Sequence, residues 1–147
     1  MIEVEVIISD ETREHFPLEP VRLQNYAVRV FESCGISESD VNIIFVDDIC
    51  MTELNEKYKG RKGSTDVLSF DLSEEDSGCI EGEVYVSLDR ARQQAVEYGV
   101  PYAEEVIRLV THGLLHLTGR VHDTDEEYKD MAEDTERFVE TYYNLRF

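Results

Sequence analysis

The chain has 147 residues, which suits one domain with one hydrophobic core, so we expect residues 1–147 to form a single domain. Hydrophobic residues make up 41% of the chain, and this content argues against disorder. The net charge of −19 argues against a protein that coats nucleic acid, because phosphate binding relies on Lys and Arg. No apolar run is long enough to cross a bilayer, and three widely spaced cysteines favour a reduced, cytoplasmic protein without membrane contact.

The hydrophobic pattern predicts an alternation of strands and amphipathic helices. In chain order we predict a strand over 2–8, a helix over 20–34, a strand over 41–47, a helix over 51–58, a strand over 65–72, a strand over 79–87, a helix over 88–98 and a helix from Pro101 to about Leu117. The strands at 65–72 and 79–87 are expected to form a hairpin. The fold class is therefore α+β, with a small, about four-stranded mixed sheet covered by helices.

A last helix is predicted after Thr124, which forms a capping-box pattern with Glu127. Gly119 is expected to end the preceding helix, as glycines commonly do just past the last turn. The apolar stripe of the last helix is predicted to be core: Tyr128, Met131, Thr135, Phe138, Tyr142 and Leu145.

Three of the four histidines fall within residues 111–123. His112 and His116 are four residues apart, so they project from one helix face and can reach one ion. Gly119 permits the chain to reverse, and His122 then supplies a third ligand. Three neutral imidazoles suit zinc, with one ion per chain, and leave a fourth position open for water, as in catalytic sites.

The spacing HxxxHxxGxxH also matches the metzincin peptidases, whose pattern begins HExxH. Gly113 occupies the position of their catalytic glutamate. A glycine has no side chain to accept a proton, so the sequence argues against proteolysis.

A cluster of cations follows the helix predicted at 51–58. Lys57, Lys59, Arg61 and Lys62 lie within six residues of one another. In so acidic a chain, any polyanion that binds is expected to bind near this cluster.

Several segments resemble the YbeY family in the right order. They are LNEKYKGRKGSTDVLSF (54–70), EGEVYVS (81–87), EEV (104–106) and HGLLHLTGRVH (112–122). The resemblance implies a zincin-like fold and a zinc-dependent, single-strand-specific endoribonuclease. It also implies a role in maturing the 3′ end of small-subunit ribosomal RNA (16S) and in ribosome quality control, with ribosomal RNA and the small ribosomal subunit as partners.

The resemblance also points to residues that would act on the phosphate. Lys59 stands where the family usually has a functional arginine, and we expect Lys59, helped by Arg61, to stabilise charge on the phosphate. Arg120 and Val121 replace the usual Tyr-Asp before the third histidine. Asp123 follows that histidine and is a candidate to orient an imidazole, or equally to serve the entry into the helix before Thr124.

The sequence does not identify the general base. The candidates are four polar residues near the expected cleft, and no pattern distinguishes among them: Asp66, Ser69, Glu83 and Glu105.

Two other functions also remain possible. One is a ribosome-assembly factor that binds without catalysis and holds a structural zinc, with Asp123 as the nearest fourth ligand. The other is a metal-dependent hydrolase of a different phosphoester.

Overall fold

Four strands form one mixed sheet in the computed structural model, which describes residues 1–120 and 122–144. The strands are β1 (Ile2–Ile8), β2 (Ser39–Val46), β3 (Val67–Asp71) and β4 (Ile80–Ser87). Their spatial order is β1-β2-β4-β3; β1, β2 and β4 run parallel, and β3 pairs with β4 in an antiparallel hairpin. The predicted four-stranded mixed sheet and its hairpin are confirmed.

Five α-helices cover the sheet within the described residues, together with one short 3-10 turn. The helices are α1 (Pro20–Ser33), α2 (Asp48–Lys59), α3 (Leu88–Tyr98), α4 (Tyr102–Leu117) and α5 (Asp125–Asn144), and the turn is Arg13–His15. The predicted start of α2 was three residues late, because the Asp47 side chain accepts a hydrogen bond from the Cys50 N–H and caps the helix earlier. None of the described helices is long and apolar enough to cross a membrane.

Helix α4 is the central helix and carries two of the three histidines. It contacts β3, β4, α1, α3 and α5. Its side chains at Val106, Ile107, Val110, Leu114 and Leu115 are fully buried. Burial on so many sides leaves this helix little freedom to move, so its exposed face is held firmly in place.

The predicted apolar stripe of α5 is correct over most of its length. Met131, Thr135 and Tyr142 are buried, and Phe138 is half-buried against the core. The prediction was wrong for Tyr128, which is 62% exposed because the first turn of α5 extends past the edge of the core. Leu145 lies outside the described residues.

Candidate metal centre

The C-terminal turns of α4 place two imidazoles side by side. The Nε2 atoms of His112 and His116 lie 3.1 Å apart. The helix ends at Leu117, and Gly119 reverses the chain with a φ of 92°, a left-handed conformation that favours glycine. The Gly119 N–H donates to the His116 carbonyl over 3.0 Å, which fixes the turn directly to the helix that carries the two ligands.

The reversed chain brings in the third imidazole. The ring of His122 lies 5.5 Å from that of His112 and 4.9 Å from that of His116, measured between centroids. One nitrogen from each of the three rings lies within 4.8 Å of the others. Tetrahedral zinc with Zn–N bonds of about 2.0–2.1 Å would hold its nitrogens about 3.4 Å apart. The histidine group therefore fits one metal ion with little adjustment.

The predicted capping box fixes the segment just after His122. The Thr124 hydroxyl accepts from the Glu127 N–H over 3.1 Å, and the Glu127 carboxylate accepts from the Thr124 N–H over 3.2 Å. Both halves of the box are present, so the start of α5 is anchored two residues beyond the third imidazole.

The electrostatics favour the neutral form of the His112 and His116 imidazoles at pH 7. Burial lowers the pKa of His112 to about 4, assisted by His116 and His122 and opposed by the charge of Asp66. Burial also lowers the pKa of His116, with further contributions from His122 and from the charge of Lys59. A neutral imidazole offers a free lone pair, so both side chains are in the protonation state that binds a metal ion.

Gly113 shows why this centre has no glutamate in the metzincin position. A Cβ atom added there would lie 2.4 Å from the Val84 side chain of β4 and 3.2 Å from the Ser69 hydroxyl of β3. The Ser69 hydroxyl also donates to the Gly113 carbonyl over 3.1 Å. Helix α4 is therefore seated directly on the hairpin at Gly113, and even a methyl group would force the two apart.

Two cations, Lys59 and Arg61, line a cavity with the histidines. A cavity of about 400 Å³ is lined by Lys59 and Arg61 together with all three histidines. Lys59 is the last residue of α2, and its Nζ lies 4.9 Å from the centroid of the Phe70 ring, within the range of a cation–π contact. We call this side of the centre, defined by Lys59 and Arg61, the basic flank.

Asp66, one of the candidate general bases, lines the cavity at the histidines. One of its carboxylate oxygens accepts from the Val67 N–H over 2.8 Å, and the other accepts from the Gln94 amide over 3.1 Å. The first bond is the backbone contact expected at the start of a strand. The second holds the carboxylate towards the centre, where its charge acts on His112.

The remaining candidates have different surroundings. Glu83 accepts a hydrogen bond from the Tyr85 hydroxyl over 3.3 Å and lines neither cavity at the histidines. Glu105 is only 2% exposed and forms an ion pair with Arg108 at 2.8 Å. Burial raises the pKa of Glu105, against the lowering effect of Arg108.

The segment around the third histidine departs from the expected family pattern. Arg120 forms an ion pair with Asp134 on α5, which connects the turn to that helix. Val121 lies outside the described residues. Asp123 is exposed, and its charge opposes the lowering of the His116 pKa that burial produces.

A second cavity, on the other side of His112, was missed by the sequence analysis. It has a volume of about 380 Å³ and lies between α3, α4 and α5. Its distinctive lining residues are Gln94, Tyr98, Glu105, Arg108, Tyr128 and Glu136. We call this side, defined by those residues, the aromatic flank. The residues come from three helices that only tertiary packing brings together, so no local sequence motif predicts them.

These features define a small α+β protein with a three-histidine centre that could hold a metal ion. A family model described as "Endoribonuclease YbeY" matches residues 8–143. The chain belongs to the YbeY family.

Named relatives cover most of the chain. A protein of Treponema denticola named Endoribonuclease YbeY is 31% identical over 87% of this chain and 86% of its own length. Another of the same name from Desulforamulus reducens is 39% identical over 82% of this chain and 84% of its own length. The solution structure of a Thermotoga maritima protein superposes with a TM-score of 0.66 and 29% identity, covering 97% of this chain and 90% of that one.

Proposed function

We propose that this chain is a metal-dependent endoribonuclease that cleaves single-stranded RNA, with small-subunit ribosomal RNA as its target. The observation that carries the proposal is the position of three convergent imidazoles beside Lys59 and Arg61 in one cavity. The relatives named Endoribonuclease YbeY support the same activity. Residues 1–147 would act as one domain in the cytoplasm, in maturing the 3′ end of that RNA and in ribosome quality control.

His112, His116 and His122 would hold one zinc ion per chain. Neutral nitrogen donors are the ligands that zinc prefers, and catalytic zinc sites commonly have three protein ligands. In the part of the chain that the structure describes, no cysteine or carboxylate joins this group. That donor set supports a catalytic ion over a purely structural one. When bound, zinc would polarise a phosphoryl oxygen and activate water for attack on phosphorus.

Lys59 and Arg61 would bind the phosphate group and stabilise the negative charge that develops on it. The ring of Phe70 under the Lys59 ammonium limits the positions that this cation takes. The guanidinium of Arg61 can donate two parallel hydrogen bonds to phosphate oxygens.

The net charge of −19 opposes binding of a long polyanion. The basic flank acts at short range, within a Debye length of about 8 Å at physiological salt. We therefore expect the protein to grip only a few nucleotides, while basic ribosomal proteins of the small subunit deliver the rest of the RNA.

The test is cleavage of a labelled single-stranded RNA by zinc-loaded protein. It needs a His116→Ala variant purified in the same way, a chelated sample, and His15→Ala as a matched control, because His15 is an exposed histidine of the 3-10 turn outside the centre. We expect cleavage by the wild type and His15→Ala alone, lost on chelation and restored by added zinc.

Two results would contradict the proposal. Equal cleavage by His116→Ala would identify a contaminating ribonuclease. No cleavage by any sample, with one tightly held zinc per chain, would favour the assembly factor that binds RNA or the ribosome without catalysis.

A further inference from the structure

The cavity of the aromatic flank opens on the same histidines as the basic flank. His112, His122 and Asp66 line both cavities. The two cavities therefore adjoin at the histidine group. The volume of about 380 Å³ lies within the range of small-molecule sites and is sufficient for one nucleobase.

Two tyrosines on the wall of this cavity are exposed. Tyr98, the last residue of α3, is 65% exposed, and Tyr128, in the first turn of α5, is 62% exposed. The Tyr128 ring stands edge-on to His122, with 6.0 Å between the centroids. Exposed aromatic rings are common platforms on which unpaired RNA bases stack.

The charges of the cavity disfavour a phosphate group. Arg108, the one cation that lines the cavity in the described part of the chain, forms ion pairs with Glu104, Glu105 and Glu136 at 3.2, 2.8 and 2.8 Å. Asp66 adds a further carboxylate, so acids outnumber cations on this flank. A neutral base fits such a lining where a phosphate does not, and phosphate is left to the basic flank.

The hydrogen-bonding groups of the cavity mostly accept. Carboxylates accept hydrogen bonds only, and one N–H of the Gln94 amide already donates to Asp66, so the carboxylates of Glu105, Glu136 and Asp66 supply most of the acceptors. A base that presents an amino group to these carboxylates is therefore favoured. Adenine, cytosine and guanine carry such an amino group, whereas uracil has only its N3–H, between two carbonyl oxygens that the carboxylates disfavour.

We propose that the aromatic flank is a nucleobase pocket. It takes the base next to the phosphate held by Lys59 and Arg61, stacks it on Tyr128 and Tyr98, and favours bases with an amino group over uracil. This inference rests on the proposed function, because it assigns the pocket to the same RNA strand that is cleaved.

The binding arm of the test uses the tyrosine ring resonances of the zinc-loaded protein in NMR titrations. The probes are adenosine, uridine and ribose 5-phosphate. Adenosine is expected to shift the resonances of Tyr98 and Tyr128 more than uridine does. Ribose 5-phosphate, which has no base, is expected to shift resonances of Lys59 and Arg61 instead.

The activity arm uses short single-stranded RNAs that differ only in one base beside the cleaved bond. Tyr128→Ala is expected to lower kcat/KM about tenfold for an adenine substrate and to flatten the preference over uracil, since one stacked base is worth about that factor or more. Tyr128→Phe keeps the stacking ring and should retain both the kcat/KM for the adenine substrate and the preference over uracil. Val96→Ala is the matched control, because Val96 is an 80% exposed residue of α3 that does not line the pocket.

The two arms separate this inference from the proposed function. RNA cleavage without any nucleoside effect on the two tyrosines would overturn the pocket and leave the nuclease intact. Nucleoside binding at the tyrosines without RNA cleavage would keep a base pocket and overturn the nuclease. Equal responses to adenosine and uridine would overturn the proposed base preference.

Discussion

The two flanks of the histidine group are built in opposite ways. The basic flank comes from one continuous segment, in which α2 ends at Lys59 and the chain passes through Gly60 to Arg61. The aromatic flank is assembled from α3, α4 and α5, and Arg108, its only cation among the described residues, forms ion pairs with three glutamates. The first flank suits a phosphate and the second suits a neutral base, with His112 between them.

This difference explains how so acidic a protein would handle RNA. Attraction to the backbone would be centred on the basic flank, whereas the net charge of −19 opposes the approach of phosphates to the protein as a whole. Acids on the aromatic flank then discriminate between a phosphate and a base. Residues of each flank can be substituted separately, so the different roles of the two flanks can be tested.

Arg108→Leu is expected to have the largest effect, through the structure of the aromatic flank. The substitution leaves the Glu105 carboxylate, only 2% exposed, without its ionic partner. Removing one partner of a buried ion pair typically costs about 3–5 kcal/mol. We expect a loss near the lower figure, because the Arg108 side chain is 25% exposed. Urea unfolding at pH 7 measures the change.

The same variant has a defined pH dependence. Burial already raises the pKa of Glu105 in the wild type, and losing Arg108 raises it further. As the pH falls, the folded variant then binds a proton at Glu105 before the unfolded chain does, so its deficit relative to the wild type should shrink. The double variant Glu105→Gln, Arg108→Leu should recover part of the stability at pH 7. A deficit that is the same at pH 7 and pH 5 would contradict this account.

Lys59→Ala tests the basic flank. Loss of one charge that stabilises the phosphate in the transition state is expected to lower kcat/KM about 100-fold with little change in stability. Lys59→Arg should retain activity, because the planar guanidinium also binds phosphate, with two hydrogen bonds. Cleavage kinetics on one RNA measure both variants.

Lys57→Ala is the matched control for that comparison. Lys57 is exposed in the last turn of the same helix but does not line the cavity at the histidines. If Lys57→Ala lowers kcat/KM as much as Lys59→Ala, the effect is one of overall charge and the specific role of Lys59 is wrong.

Local sequence patterns were enough to predict the histidine group, whereas Lys59 and Arg61 were assigned to the site through the family resemblance. The spacing of His112 and His116, the glycine turn at Gly119 and the capping box at Thr124 are each decided within a few residues. The hairpin and the central helix followed from hydrophobic periodicity in the same way. Features of this kind depend on residues that are close together in the sequence, so they can be predicted from it.

The aromatic flank could not be predicted, because its residues are far apart in sequence. Gln94 and Glu136 meet only when α3, α4 and α5 have packed. Apolar spacing placed Tyr128 in the core, since periodicity does not reveal where the core ends along a helix. From the sequence, Gly113 could be interpreted only as the absence of a catalytic glutamate. The structure shows that α4 packs closely on Val84 at this glycine.

The salt dependence of RNA binding is the smallest expected effect, and it measures how far the basic flank extends. Two phosphate contacts, from Lys59 and Arg61, predict a slope of about −1.4 for log K against log salt with single-stranded RNA. Affinity would then fall about sevenfold between 50 and 200 mM salt. The double variant Lys59→Ala, Arg61→Ala should have a slope close to zero, measured by fluorescence anisotropy with a labelled oligonucleotide. A wild-type slope of about −4 or steeper would mean that many more phosphates are bound, and the division of phosphate and base between the two flanks would then be wrong.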